Sequence, residues 1–297
     1  MSTVGERERL TQERVVAYFR DTLNYRYLGD WEYREGNSNV EEELLAAWLT
    51  RRGHSKQIIG KVLYELGKAR AVSGSKNLYD ANREVYGLLR YGVKVRPEIG
   101  EQHITVWLID WENPQNNNFA IAEEVTITGE NSKRPDIVLY VNGIALGVLE
   151  LKRSIVSVSE GIRQNLDNQK KVFIRPFFAT VQLVMAGNET EGLRYGVIET
   201  PEKYYLRWKE ADAPPAAGEN PLLTELSQLC RKERLLEIVH DFIVFDAGTK
   251  KTCRHNQYFG VKAAQERVKR REGGIIWHTQ GSGKSLIMVW LAKWIRE

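Results

Sequence analysis

The chain has 297 residues, with 43 Lys+Arg against 39 Asp+Glu, 42% hydrophobic residues and two cysteines. This composition excludes a disordered, collagen-like or disulfide-stapled protein, and the length suffices for one large domain or about two ordinary ones. The N-terminal stretch MSTVGERERL is charged and no apolar run approaches a membrane span, so neither a signal peptide nor an anchor is expected. Cys230 and Cys253 lack zinc-site spacing and suit a reducing cytoplasm.

In chain order, residues 9–26 have helical spacing, with Leu10, Val15, Tyr18, Phe19 and Leu23 as the apolar set. A second helix is expected from about Ser38 or Asn39, capped by Asn39 with Glu41–Glu43 in its first turn, and a third over Lys56–Lys68. Strands are expected at His103–Trp111, Phe119–Thr128, Asp136–Val141 and Ile144–Lys152. A helix at Ser159–Lys171 and a strand at Ala179–Met185 follow. Ala211–Asn220, which holds Pro214, Pro215 and Gly218, reads as a linker. Helical patterning resumes over Leu222–Leu229 and Glu233–Phe242. Last come a basic segment from Lys262 to Arg271, an apolar strand at Ile275–Trp277, a glycine loop and a helix at Leu286–Ile295. This order predicts an α/β fold around a mixed sheet flanked by helices.

Charge is uneven along the chain. Residues 51–100 carry eleven Lys/Arg and four acids, whereas residues 97–130 carry seven acids and no Lys or Arg. A basic surface beside an acidic site is what a metal-dependent nuclease needs, and two ordinary solvated faces account for the same pattern.

The segment His278-Thr-Gln-Gly-Ser-Gly-Lys-Ser285 ends as a phosphate loop does, between an expected strand and an expected helix. Gly281 and Gly283 let successive amides point at phosphate oxygens, Lys284 would reach the β- and γ-phosphates, and Ser285 would hold Mg²⁺. Thr279, Gln280 and Ser282 would complete an ATP-binding loop, and Gln257, twenty-odd residues upstream, is similar to the glutamine that reads the adenine edge in helicase motors; a glycine-rich strand–helix turn that binds nothing is the other reading. The acidic metal-binding strand and the second lobe that a working motor needs do not follow. The chain is therefore expected to be a fragment that does not hydrolyse ATP competently alone.

Asp136 opens one strand, and Glu150-Leu-Lys152 lies on the next. Two oxygen-bearing groups converging on a metal with a cation beside the attacking water is the chemistry of phosphodiester hydrolysis, and a buried salt-bridge cluster is the other reading. Alternation puts Glu150 and Lys152 on one face. A two-residue turn at Asn142-Gly143 would pair Asp136 with Leu149, on the opposite face from Glu150. A three-residue loop, Val141-Asn142-Gly143, would pair it with Val148 and bring the carboxylates together. The three-residue loop or an equivalent bulge is therefore expected, and a strict two-residue hairpin would separate the pair.

Arg134-Pro-Asp136-Ile-Val-Leu-Tyr-Val-Asn-Gly143 with Glu150-Leu-Lys152 resembles the PD-(D/E)xK nuclease signature of the restriction (R) subunits of type I restriction–modification enzymes. Phe242–Asp246, Asn256–Phe259 and Gly273–Ser285 resemble the entry into the motor of those subunits. The resemblance implies a restriction-endonuclease-like domain over residues 1–240 and the beginning of a RecA-like P-loop motor lobe over residues 241–297. It implies Mg²⁺ at Asp136 and Glu150, a catalytic role for Lys152 and Gln164, and ATP at the loop of the full subunit. Many such nucleases carry a tyrosine four residues after the glutamine, where this chain has Asn168; Glu41 and Glu43 are further candidates for the metal. The implied function is non-specific cutting of double-stranded DNA after ATP-driven translocation, in a cytoplasmic complex with methyltransferase (M) and specificity (S) subunits and no membrane. The alternatives are a repair-type helicase–nuclease, which the nuclease-first order disfavours, and a non-catalytic DNA- or nucleotide-binding fragment that docks on partner subunits.

Overall fold

The computed structural model of the chain describes residues 3–98, 100–210 and 220–296. Its elements are α1 (Thr3–Asp21), β1 (Arg26–Asp30), α2 (Glu42–Arg51), α3 (Lys56–Arg70), α4 (Leu78–Tyr91), β2 (Val93–Val95), β3 (Ile104–Val106), β4 (Phe119–Glu123) and β5 (Ile137–Val141). They continue with β6 (Ile144–Leu151), α5 (Val158–Asn168), β7 (Leu183–Asn188), β8 (Gly192–Gly196), α6 (Pro221–Cys230), α7 (Lys232–Asp241), β9 (Val244–Asp246), β10 (Thr249–Lys251), α8 (His255–Lys269) and α9 (Lys284–Arg296).

The main sheet has six strands in the order β1-β4-β5-β6-β7-β8. β1 runs parallel to β4 and β6 parallel to β7, and the other neighbours are antiparallel, so the expected mixed α/β sheet flanked by helices is present. Every residue of β5 and β6 is buried, as in central strands covered on both faces. On one face Ile137, Leu139, Leu149 and Met185 join Phe19 of α1, Leu45 and Trp48 of α2 and Leu235 of α7. On the other face Val138, Tyr140 and Val148 pack with Leu78 and Ala81 of α4 and with Phe177 and Phe178.

Several expected elements differ from those observed. The second helix begins at Glu42, and Asn39 does not cap it. Its amide nitrogen is drawn instead onto the Pro176 and Phe177 carbonyls, at 3.1 and 3.0 Å. The strand expected at His103–Trp111 shortens to β3, which pairs with β2 in a separate two-stranded sheet. The strand expected at Ala179–Met185 moves to β7, because residues 175–179 form a 3-10 turn with Pro176 near its start. The linker at residues 211–219 lies outside the described residues.

Ile275–Trp277 is not a strand. Ile275 and Trp277 stand 91% and 90% exposed, with no described strand beside them to complete a backbone ladder. Not expected from the sequence are β1, α4, β2, β8, β9 and β10. The spacing of Leu78, Ala81, Val85 and Leu89 behind Asn77, which accepts from the Asp80 amide at 2.8 Å, was a readable signal for α4.

The C-terminal elements share the first core, to which Phe242, Tyr258, Val261, Ile287 and Trp290 all belong. The Phe242 and Trp290 rings lie 5.6 Å apart. Among the described residues no helix is long and apolar enough to cross a membrane.

Candidate active site

The geometry of the site is decided at the β5–β6 hairpin. Its turn is the two-residue Asn142-Gly143 form, with φ of 53° and 84°, so the three-residue loop is not formed. The Asn142 side chain stabilises this left-handed backbone by donating to the Leu108 carbonyl at 2.9 Å and accepting from the Asn118 amide at 2.7 Å. Gly143 is required: a Cβ there would lie 2.8 Å from the Glu41 carbonyl oxygen.

The pairing then shifts. Tyr140 faces Ala145, but Leu139 faces Gly147, leaving Leu146 as an extra residue in β6. This is the equivalent bulge, placed inside the strand rather than at the turn. Beyond it Ile137 faces Leu149, which sets Asp136 opposite Glu150 and on the same face.

Glu150 is 0% exposed. Its Oε2 accepts from Gln164 Nε2 at 2.6 Å and its Oε1 from Asn168 Nδ2 at 3.1 Å, both from the α5 helix. Asp136 Oδ2 accepts from the Leu151 amide at 2.6 Å. Burial pushes the Glu150 carboxyl well above its ordinary range, the neighbouring Asp136 charge pushes it further, and Lys152 pulls it back. α5 can lie this close because residue 161 is glycine. A Cβ there would be 3.1 Å from the Ala186 Cβ and 3.5 Å from Lys152 Cγ.

Asp136, Lys152 and Gln164 line a cleft of about 570 Å³, together with Arg9, Gln12 and Glu13 of α1 and with Glu123, Glu124 and Arg134. Gln12 donates to Glu123 at 2.9 Å, Tyr27 donates to the other oxygen of Glu123, and Arg134 pairs with Glu124 at 2.6 Å and with Glu32. The structure therefore brings together the expected Asp136, Glu150, Lys152 and Gln164, and it adds Asn168 as a contact of Glu150. Not expected are the side chains of α1, whose polar face is visible in the sequence between its apolar positions. Glu41 and Glu43 are not in the cleft. Glu41 sits at the turn end of the hairpin, accepting from the Ser38 amide at 3.0 Å and paired with Arg34 at 2.6 Å, and Glu43 is solvent-exposed.

Two converging carboxyl groups, one of them fully buried, are hard oxygen donors of the kind Mg²⁺ takes once ionised. Among the described residues no three His, Cys, Asp or Glu side chains are grouped as a protein-only metal cage, so water or substrate oxygens would complete the shell. Asp136 and Glu150 are the residues that fit such an ion.

At the C-terminal end Gly281 and Gly283 adopt φ of 78° and 80°, and α9 starts at Lys284. Lys284 Nζ donates to the His278 and Thr279 carbonyls, each at 3.1 Å. Gln257 lies against the same loop. Its amide nitrogen reaches the Ser282 and Gly283 carbonyls, each at 3.1 Å, and its oxygen accepts from the Arg254 amide at 2.8 Å. Thr279, Gln280, Gly281 and Ser285 line the exposed side of the loop, while Ser282 is buried.

Residues 5–203 match the family model for the type I restriction enzyme R protein N terminus, and residues 256–297 match that for SWI2/SNF2 ATPase. The chain is 30% identical over 248 residues to the type I restriction enzyme HindI endonuclease subunit of Haemophilus influenzae, covering 76% of this chain and 23% of the relative. It is 30% identical over 244 residues to a type I restriction enzyme endonuclease subunit of Methanocaldococcus jannaschii, covering 70% and 23%. A Staphylococcus aureus endonuclease subunit of the same enzyme type is 22% identical over 216 residues, covering 71% and 22%. The chain thus spans less than a quarter of the length of these relatives.

Proposed function

Because this chain belongs to the type I restriction enzyme R protein family through its N-terminal region, we propose that it carries the DNA-cutting centre of such a subunit. In this reading residues 1–240 are a PD-(D/E)xK-like nuclease domain and residues 241–297 begin a RecA-like motor lobe. The observation that carries it is the bulge at Leu146, which sets Asp136 opposite Glu150, with Lys152 in the same cleft as Asp136.

Asp136 and Glu150 would hold Mg²⁺, which when bound supplies Lewis acidity at the phosphate and lowers the pKa of a coordinated water. The chain's own residues do the rest. Gln164 and Asn168 clamp both oxygens of Glu150, so that the carboxylate cannot turn away from Asp136. The Leu151 amide fixes Asp136 in the same way. The Lys152 ammonium favours the ionised form of Glu150 and is placed to orient an attacking water and steady negative charge on the phosphate. Arg9 and Arg134 line the cleft and are the cations that would meet a phosphodiester backbone there, in exchange for their present partners Glu13 and Glu124.

The substrate would be double-stranded DNA, presented by translocation in a cytoplasmic complex with M and S subunits. The loop at Thr279–Ser285, with Gln257 beside it, would bind ATP when the rest of the lobe surrounds it. Further strands of that lobe would also pair Ile275–Trp277, which stands exposed with Met288 and Ile295. In the full subunit reconstituted with M and S partners, Asp136→Asn should abolish double-strand cutting while ATP hydrolysis persists. Undiminished cutting by that variant would remove the nuclease assignment.

A further inference from the structure

Three buried polar atoms on the α5 side of the sheet have no hydrogen-bond partner among the described residues: the Tyr205 hydroxyl and the Oδ1 atoms of Asn165 and Asn168. Asn168 commits its amide nitrogen to Glu150 Oε1, and Asn165 commits its own to the Met185 carbonyl at 2.8 Å. The two Oδ1 atoms can only accept, whereas the phenol can donate.

The position of Tyr205 is held from several sides. Its ring packs on the cluster of Val158, Ile162 and Ala186, and Ala186 is the β7 residue in register with Glu150. Its amide donates to the Glu202 carbonyl at 3.2 Å, and Glu202 pairs with Arg163 of α5 at 3.1 Å. The next residue, Leu206, exchanges both backbone hydrogen bonds with Tyr195 of β8, at 2.9 and 2.8 Å. Burial, and after it the charge of Glu150, keeps the hydroxyl protonated and so a donor. A buried donor and two buried acceptors left unpaired are costly, and each calls for a partner such as an ordered water; Tyr205 and Asn168 both lie within reach of Glu150, the one by its charge and the other by a hydrogen bond.

We propose that Tyr205 is a positioning residue for the carboxylate pair. Its hydroxyl donates through one ordered water to Asn168 Oδ1, which keeps the Asn168 amide nitrogen turned toward Glu150 and that carboxylate in the orientation a divalent cation takes. An amide turned the other way would aim its oxygen at the carboxylate, so a donor behind Asn168 selects the productive rotamer. The inference rests on reading Asp136 and Glu150 as a cation site.

The test is Mn²⁺ binding to this chain, followed by electron paramagnetic resonance without nucleotide, beside thermal unfolding. Tyr205→Phe removes only the hydroxyl. It should weaken Mn²⁺ binding about tenfold while the melting temperature stays close to that of the parent. Adding Tyr205→Phe to Asn168→Ala should weaken binding no further, because both act through one path. Unchanged Mn²⁺ affinity in folded Tyr205→Phe would overturn the role of Tyr205 and leave the cation site standing. Failure of the parent chain to bind any Mn²⁺ that Asp136→Asn removes would overturn both. An unfolded Tyr205→Phe would also overturn the role, since one hydroxyl would then act through the fold rather than through Glu150.

Discussion

Asp136 stands opposite Glu150 because β6 carries one residue more than β5 between the turn and the site, and that residue is Leu146. A side-chain alternation of two means that a single inserted residue moves every later side chain to the other face. The Asn142-Gly143 turn alone would have put the two carboxylates on opposite sides of the sheet.

The pair is therefore held together against its own charge. The folded Glu150 carboxyl has a pKa raised above its unfolded value, so its contribution to stability is fully present below the ordinary carboxylate range and is lost as pH rises through the folded pKa. Asp136→Asn removes the opposing charge while keeping an oxygen to accept from the Leu151 amide. Without divalent cations at pH 8, that variant should melt roughly 2 °C or more above the parent, as about 1 kcal/mol would give in a chain of this size. Added Mg²⁺ should stabilise the parent and not the variant; calorimetry with and without the ion checks both.

Lys152 lowers the pKa of Glu150. Lys152→Met should shift Mn²⁺ binding to higher pH, because the site must lose its proton without the ammonium's help. In the reconstituted enzyme the same change should cut cleavage by about 10²-fold or more, with DNA retention on a filter unchanged.

Gln164 lies in the cleft and donates to Glu150 at 2.6 Å. Gln164→Leu should leave secondary structure by circular dichroism intact and cost about 10- to 100-fold in metal affinity or cutting. An effect confined to stability would assign Gln164 to the fold alone.

Lys284 lies at the end of the glycine loop, where it donates to the carbonyls of His278 and Thr279. In the full subunit, Lys284→Ala should abolish ATP binding and ATP-driven cutting. In the chain itself it should leave Mn²⁺ binding at Asp136 and Glu150 untouched. A fluorescent ATP analogue and the resonance titration separate the two.

Gly143→Ala should destabilise the chain by about 1–3 kcal/mol or more, through a left-handed backbone and a Cβ 2.8 Å from the Glu41 carbonyl oxygen and Leu44 Cβ. Urea unfolding measures it directly, and the cleft at the far end of the hairpin should keep its Mn²⁺ affinity in the folded fraction.

Much of the site was legible because its chemistry is local. Glu150 and Lys152 share a face by alternation, and the glycine loop announces itself by composition. Gln164 follows from resemblance. Asn168 as a contact of Glu150, and Gln12 beside Glu123, were not legible, because each depends on where a helix docks on the sheet. The expected strand at Ile275–Trp277 shows the converse: an apolar β-branched run is only a candidate until a neighbouring strand completes its ladder.

By itself, then, the amino-acid sequence determined the α/β class, the two central apolar strands, the Asp136, Glu150 and Lys152 set and the glycine loop before α9, because periodicity and side-chain chemistry are properties of short segments. Only the tertiary structure decided the register at Leu146, the docking of α5 against Gly161 and the approach of α1 to the strand ends. Those are set by packing between segments far apart in the chain, where one residue of slip or one missing Cβ determines which side chains meet.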